Sequence, residues 1–479
     1  MKRRPLTEDW LAVLLGLLLF GLALASAAGA DLLGWAVSAK VWTKLAASLA
    51  PVSARYAALP GWASLLATYA FLLVLLSCGA ALMGAPVRRF AAAFTAVFWA
   101  GYACWLIGHW AYLAATPDRQ AALGIRWSLN LTPEAGYIVA LAAGLALGNL
   151  KPGVAAALQE AVRPELYVKT AIVLLGGALG ATAADQARLA ASLMFQGLCA
   201  ISAAYLIFWS VAYYVARQWF GFSREWAAPL ASGISVCGVS AAIATGAAIR
   251  ARPVVPVVVS SLVVIFAVIE LLVLPFVAQT FLYAEPMVAG AWMGLAVKTD
   301  GAAIASGAIA DALIRAKAEA LLGVRYQPDW ITGACAMVKV FIDAFIGVWA
   351  FVLAWIWTTR IEPRPGETAS ARTIWERFPK FVLGYATTFL FVLALASGWP
   401  ALVPAVKAAM AEAGVFRSLF FVLTFFCIGL VSHFGRLREE GIGRLALVYV
   451  VCLFGFIVWV ALAIAWIFFA GVRPPVMAA

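Results

Sequence analysis

The chain has 479 residues, of which 65% are hydrophobic and 12% charged, with a mean hydropathy of +0.98 and a formal net charge of +12. Soluble domains carry roughly 25% charged residues, so composition excludes a soluble globular protein and places the chain in the all-α integral membrane class, as a polytopic helical bundle. The excess Lys and Arg lie in short loops between apolar runs, the pattern of cytoplasmic loops, and imply no nucleic-acid partner. The cysteines Cys78, Cys104, Cys199, Cys237, Cys335, Cys427 and Cys452 sit within apolar spans without CxxC spacing and read as buried free thiols. His109 and His433 lie far apart, which argues against a histidine metal site, and no cofactor is implied.

Met1-Lys2-Arg3-Arg4 precedes an apolar run from Trp10 to about Ala28. Its end, Ala25-Ser26-Ala27, resembles a signal-peptidase site, but the run is long enough to span, and retention is the preferred reading. Residues 31–60, with Lys40, Lys44 and Arg55 among Trp35, Trp42 and Leu45, suit an amphipathic interfacial segment. Spans follow at 61–83 and 91–114, then an outer loop with Pro117, Asp118, Arg119 and Asn130. Residues 1–133 have no later counterpart and read as an added scaffold. Further spans are expected at 134–150, 166–183 (followed by Asp185 and Arg188), 190–216, 254–283 and 331–358. A basic loop then carries Arg360, Arg364, Arg372, Arg377 and Lys380, and the last spans lie at 381–399, 416–433 and 444–470. The total is about eleven spans, apart from one repeated stretch.

That stretch occurs at 233–247 (GISVCGVSAAIATGA) and at 294–308 (GLAVKTDGAAIASGA). Eight positions are identical: Gly233/Gly294, Val236/Val297, Ala241/Ala302, Ala242/Ala303, Ile243/Ile304, Ala244/Ala305, Gly246/Gly307 and Ala247/Ala308. Small and polar residues at bilayer depth are tolerated where the backbone faces protein or a water-filled cavity. Length allows each copy (226–250 and 287–312) to be a crossing or a hairpin of two half-depth legs. A first hairpin places Arg217, Arg224, Arg250 and Arg252 on one side, as the positive-inside rule prefers. It also makes every paired unit antiparallel, as in inverted-repeat transporters. Hairpins are therefore preferred over broken crossing helices. The organisation is a scaffold (1–133), a first repeat (134–286) and a second repeat (287–479).

The core Ser235-x-Cys237-Gly238-x-Ser240-Ala241 resembles the bacterial sulfate exporter family of inner-membrane proteins. The likeness extends over roughly residues 134–470 and includes Gly144-Leu145-Ala146-Leu147-Gly148-Asn149, Ile172-Val173-Leu174-Leu175-Gly176, Met337-Val338-Lys339 and Arg436-Leu437-Arg438-Glu439. It implies a secondary transporter, related to the cation/proton antiporters and anion transporters, that moves its core against a scaffold. Where many members resemble His-Glu-Val-Ala-Gln, this chain has Lys298-Thr299-Asp300-Gly301-Ala302. A charge pair is kept, but its type and spacing differ.

Hairpin tips place helix N-termini at mid-membrane, where they favour anions. Gly233, Gly238, Gly294 and Gly301 allow close backbone approach, and Ser235, Ser240 and Thr299 add hydroxyl donors. The competing reading is that these residues only permit tight helix packing. Lys298 and Asp300 are the sharpest clue, because a charge at bilayer depth costs about 2.5–3.5 kcal/mol. Lys298 would attract an anion and Asp300 would hold a proton or sodium ion, against the alternative of a structural ion pair. Lys339 and Asp343 share one helical face, and Glu270 lies deep in its span. Lys169 is expected to snorkel to the inner interface, His433 to contact headgroups, and His109 to be a packed polar residue.

The expected substrate-binding set is thus Ser235, Cys237, Gly238, Ser240, Gly294, Lys298, Thr299, Gly301 and Lys339, with Asp300, Asp343 and Glu270 as ion-coupling residues. The chain lacks GxSxG, HExxH and P-loop motifs, so an enzyme is disfavoured. The expected partners are a small anion, H⁺ or Na⁺, and the bilayer, with a homodimer left open. The expected location is the cell inner membrane with a cytoplasmic N-terminus. A passive anion channel and a membrane enzyme or sensor are the competing classes.

Overall fold

The computed structural model describes residues 6–115, 120, 122–129, 133, 135–185, 187–252, 254–361, 375, 379–432 and 443–477. His433, Arg436–Glu440, Arg364, Arg372, Arg377, Pro117, Asp118, Arg119 and Asn130 lie outside them, as do the side chains of Asp185 and Arg188. The chain is a multi-pass, all-α membrane protein. Among the described residues, ten helical segments are long and apolar enough to cross a bilayer.

Helix α1 (Glu8–Leu24) is an integral part of the bundle. Leu11, Leu15 and Leu19 are buried, and Gly16 lies against Val173 so closely that a Cβ there would stand 2.6 Å from the valine. Residues 31–60 do not form an amphipathic helix. Strands β1 (Val37–Ala39) and β2 (Leu49–Pro51) pair antiparallel, with Val37 opposite Pro51. Pro51 and Pro60 disfavour a continuous helix here, and the polar backbone of the cap is satisfied by neighbours. The Ser64 hydroxyl donates to Trp35 O (2.7 Å), Val37 N donates to Thr68 Oγ1 (3.0 Å), and Trp42 Nε1 donates to Leu106 O (2.8 Å). The cap thereby ties α2 (Gly61–Leu82) to α3 (Val87–Gly108).

The middle of the chain contains α4 (Ala135–Leu150), α5 (Pro164–Asp185) and α6 (Ala187–Ala203, prolonged through π turns to Trp219). Next come α7 (Arg224–Ser232), α8 (Gly238–Ala248), α9 (Val254–Phe281), α10 (Pro286–Ala296) and α11 (Asp300–Leu322). Helices α12 (Trp330–Ala344), α13 (Ile346–Ile356), α14 (Phe381–Gly398) and α15 (Val403–Val431) follow. The final helix runs as α16 (Gly443–Cys452), a π turn, and α17 (Val458–Phe469).

Arg224–Ala248 is long enough to cross, but it folds back. Arg252 N and Nε donate to the Glu225 carboxylate at 2.7 and 3.0 Å, so the two ends of the stretch meet. Within it, the Thr245 hydroxyl on α8 bonds the Ser232 hydroxyl on α7 (2.7 Å). The second copy also folds back. Lys317 Nζ, far along α11, donates to Thr280 O (3.4 Å) and sits 4.6 Å from the Tyr283 ring centre, just before α10 begins.

The two hairpins open at opposite ends of the bundle. The final helix starts beside the first mouth, where Arg444 donates to Phe220 O (2.7 Å), and ends beside the second, where Gly471 N donates to Glu285 (2.8 Å). Helix α9 makes the same journey, from Arg252 to Thr280. At 28 residues it rises about 42 Å, the thickness of a bilayer with its headgroups.

Candidate functional site

The tips of the two hairpins meet in the interior. The first leg of hairpin one ends in a π turn, Gly233–Cys237, and the chain then leaves helical geometry at Cys237 (φ −141°, ψ 84°) and Gly238 (φ 14°, ψ −99°) before α8 begins. A Cβ on Gly238 would lie 2.5 Å from Val263 Cγ1 and 3.1 Å from both Lys298 O and Thr299 Cγ2. A larger residue there would push the tips apart. In hairpin two the turn is extended at Val297 and Thr299, and Thr299 caps α11 by accepting from Ala302 N (3.3 Å). This capping geometry places Asp300 in the first turn of α11, where the helix dipole favours a negative charge.

The charged groups form one buried cluster. The Cys237 thiol donates to Asp300 Oδ1 (2.6 Å). Lys339 Nζ, reaching from α12, donates to Val236 O and Lys298 O (3.2 Å each), one carbonyl from each tip, and lies 3.7 Å from Asp300 Oδ1. Glu270 on α9 accepts from Lys298 N (3.0 Å) and from the Tyr449 hydroxyl (3.5 Å). Asp343, wholly buried, has a carboxylate oxygen in the same cluster as Cys237 Sγ and Asp300, yet neither of its oxygens accepts a well-aligned hydrogen bond.

The alternative of a structural Lys298–Asp300 ion pair does not form, since the two are not paired with each other. Lys298 Nζ turns back to the Leu295 carbonyl, at the C-terminal end of α10, and lies 5.1 Å from the centre of the Phe208 ring; helix C-termini attract cations in this way. The Lys339/Asp343 spacing does not yield an i,i+4 pair either, since Lys339 crosses to the tips instead. The Ser235 hydroxyl donates to the Ala231 carbonyl in its own helix, and the Thr299 hydroxyl oxygen is a cap acceptor. Ser240 is half-buried on α8. Gly294 stands back from the tip as a packing residue, since a Cβ there would come within 2.7 Å of Cys335 O. Gly301 faces α5 and α15, where a Cβ would meet Ile428 at 3.3 Å, Thr424 at 3.6 Å and Val168 at 3.7 Å.

Lys169 does not snorkel to the lipid. It is buried, with Nζ 2.8 Å from Asp9 and 3.3 Å from Glu165. His109 is a packed polar residue, its Nδ1 2.8 Å from Trp105 O. Tyr449, Phe208 and Asp9 were not singled out from the sequence. Each lies in an apolar run or at a terminus, and each reaches its partner only through long-range packing.

Two cavities lie at the two ends of α5. One, of about 1040 Å³, is lined by Glu8, Arg89, Gln159, Arg163 and Glu165. The other, of about 740 Å³, lies under the β cap and is lined by Ser38, Ala181, Asp329, Arg417 and Leu419. They touch opposite ends of α5, at Glu165 and Ala181. Val168, beside Gly301, is three residues (about 4.5 Å of helix rise) beyond Glu165, and Thr424 is five residues (about 7.5 Å) beyond Leu419. The residues of α5 and α15 that meet Gly301 therefore lie between the two openings, and neither opening is lined by a residue of the charged cluster.

A family model described as conserved hypothetical protein 698 matches residues 122–448. The chain is 42% identical over 476 residues to a UPF0324 membrane protein of Nitrosomonas europaea, covering 98% of this chain and 97% of the relative. It is 47% identical over 170 residues to an uncharacterized protein of Archaeoglobus fulgidus, covering 31% of this chain and 91% of that one. A UPF0324 membrane protein of Rhodopirellula baltica is 29% identical over 401 residues, 82% of this chain and 65% of the relative. No solved structure matches the chain. With its matched core carrying both hairpins, and 98% of its length aligned to the Nitrosomonas protein, the chain belongs to the UPF0324 membrane protein family.

Proposed function

We propose that the protein is a secondary active transporter of a small anion, coupled to H⁺ or Na⁺, in the cell inner membrane with its N-terminus cytoplasmic, and not an enzyme. The observation that carries this reading is the meeting of two opposed hairpin tips in a buried charged cluster, with a cavity at each end of α5. Discontinuous helices that meet between inverted repeats are a recurrent site for substrate and coupling ion in secondary transporters. Lys339 supplies positive charge near the N-terminus of α11, and Lys298 adds a second ammonium at the adjoining C-terminal end of α10, which suits an anion. Asp300, Asp343 and Glu270 supply carboxylates that can hold the coupling ion. The resemblance to sulfate exporters supports sulfate, an organic sulfonate or a carboxylate as the anion.

The first experiment is a thermal-shift screen of the purified protein against sulfate, sulfite, thiosulfate, sulfonates and dicarboxylates. A ligand at a hundred times its Kd stabilises the folded state by about 2.7 kcal/mol. The anion selected is then followed in proteoliposomes, where its flux should depend on an imposed H⁺ or Na⁺ gradient and collapse in Lys298→Ala. Flux that follows voltage alone would make the protein a channel. Wild-type flux in Lys298→Ala would remove Lys298 from the site.

A further inference from the structure

The geometry points to a buried binding site for a divalent, thiophilic cation of the Zn²⁺ class, formed by Cys237 of the first tip, Asp300 of the second and Asp343 of α12. The inference goes beyond the transport reading, because it stands on coordination chemistry and is tested without measuring flux.

One potential ligand atom from each of the three residues lies within 4.8 Å of the other two, and all three side chains are buried. Asp343 is the telling member. It is wholly enclosed, neither of its carboxylate oxygens accepts a well-aligned hydrogen bond although the Cys237 thiol and the Lys339 ammonium act on it at short range, and one oxygen faces the thiol and the Asp300 carboxylate. A buried carboxylate without a well-aligned donor forfeits its solvation, and a cation placed among the three groups would restore it. Tetrahedral zinc has Zn–S of about 2.3 Å and Zn–O of about 2.0–2.2 Å, so its ligand atoms lie about 3.3–3.6 Å apart. Cys237 Sγ and Asp300 Oδ1 lie closer than this, at 2.6 Å, so the two must separate by about 1 Å to hold the ion. Binding removes the thiol proton to water and replaces the hydrogen bond by Sγ–metal and Oδ–metal bonds, with no change of oxidation state.

Charge balance and ligand type both favour this class of ion. One thiolate and two carboxylates carry three negative charges. A dication and the neighbouring Lys339 ammonium, 3.7 Å from Asp300, carry three positive ones. Sulfur beside carboxylate oxygen suits Zn²⁺, whereas Na⁺, Mg²⁺ and Ca²⁺ prefer oxygen alone. The other charges at the tips, Lys298 and Glu270, engage the Leu295 carbonyl and the Lys298 amide respectively and stay outside the ligand set.

The test uses the full-length protein in detergent after chelator treatment. Titration with Cd²⁺, a spectroscopic stand-in for Zn²⁺, should raise a sulfur-to-metal charge-transfer band that saturates at one equivalent and is competed away by Zn²⁺. Cys237→Ala should abolish the band, Cys335→Ala should keep it, and Asp343→Asn should weaken binding by more than about tenfold. X-ray absorption on the Zn²⁺-loaded wild-type chain should show one sulfur in the first shell, a readout that needs no variant to fold. A band that survives in Cys237→Ala, a shell of nitrogen and oxygen only, or no band in excess metal would each overturn the site. None of these outcomes depends on whether the protein moves an anion.

Discussion

The two hairpins share a frame of glycine and alanine, but their tips are built differently. The first is electrically neutral. Its turn rests on a π-helical end and on Gly238, and its polar groups serve its own backbone or the opposite tip. The second carries Lys298, whose side chain turns back to the Leu295 carbonyl three residues earlier, and Asp300, satisfied by Cys237 of the opposite tip and Lys339 of α12. A duplicated stretch thus keeps its packing residues and diverges where the two copies touch. The first copy acts as the shape that the charges of the second require.

The largest effect is expected where the charge of the second tip is compensated. Lys339→Met leaves Asp300 and Asp343 buried together without a cation, and removing one partner of a buried pair costs about 3–5 kcal/mol. Thermal unfolding in detergent should show that loss, and adding Asp300→Asn to the same chain should recover most of it. An unchanged melting curve in the single variant would mean that the tips are solvated and that their difference in charge carries no energetic weight.

Next in size is a pair of identical substitutions on the two tips. Gly238→Ala must displace Val263 and the facing tip, and overpacking of this kind costs about 1–3 kcal/mol. Gly301→Ala meets the flexible end of the Ile428 side chain at 3.3 Å and ordinary contacts with Thr424 and Val168, and should cost less than Gly238→Ala, about 1 kcal/mol at most. Equal melting temperatures for the two would show that both tips tolerate a side chain alike.

Smaller effects test the legs. Thr245→Val removes the hydroxyl bond between α7 and α8, and should cost about 0.5–1.5 kcal/mol in denaturant titrations, since Ser232 retains the Trp209 donor. Glu225→Ala breaks the half-exposed tie at the mouth of the first hairpin and should cost no more than about 1 kcal/mol, a loss reduced further by salt. A larger cost would make the mouth, rather than the tip, the feature that holds the hairpin closed.

The sequence was informative wherever an unusual residue had to stand in an apolar context. The repeated glycines and alanines, Lys298, Asp300, Glu270, Lys339 and Asp343 all stood out for that reason, and the structure gathers these charged residues into one cluster. Who pairs with whom was illegible, because the bonds join residues far apart in the chain. Lys169 looked like a snorkelling lysine because Asp9 lies 160 residues earlier. Tyr449 resembles any other residue of an apolar span until it is seen against Glu270. The question of crossing or hairpin is also a long-range one. Arg224–Ala248 satisfies every length criterion for a span, and the meetings of Glu225 with Arg252 and of Ser232 with Thr245 show that it turns back. The β cap escaped notice because three-residue strands are too short to show a period.

Helix α9 and the final helix each reach from one hairpin mouth to the other. Both mouths are thus tied to the same two helices, while α5 and α15 face the second tip through Val168, Thr424 and Ile428.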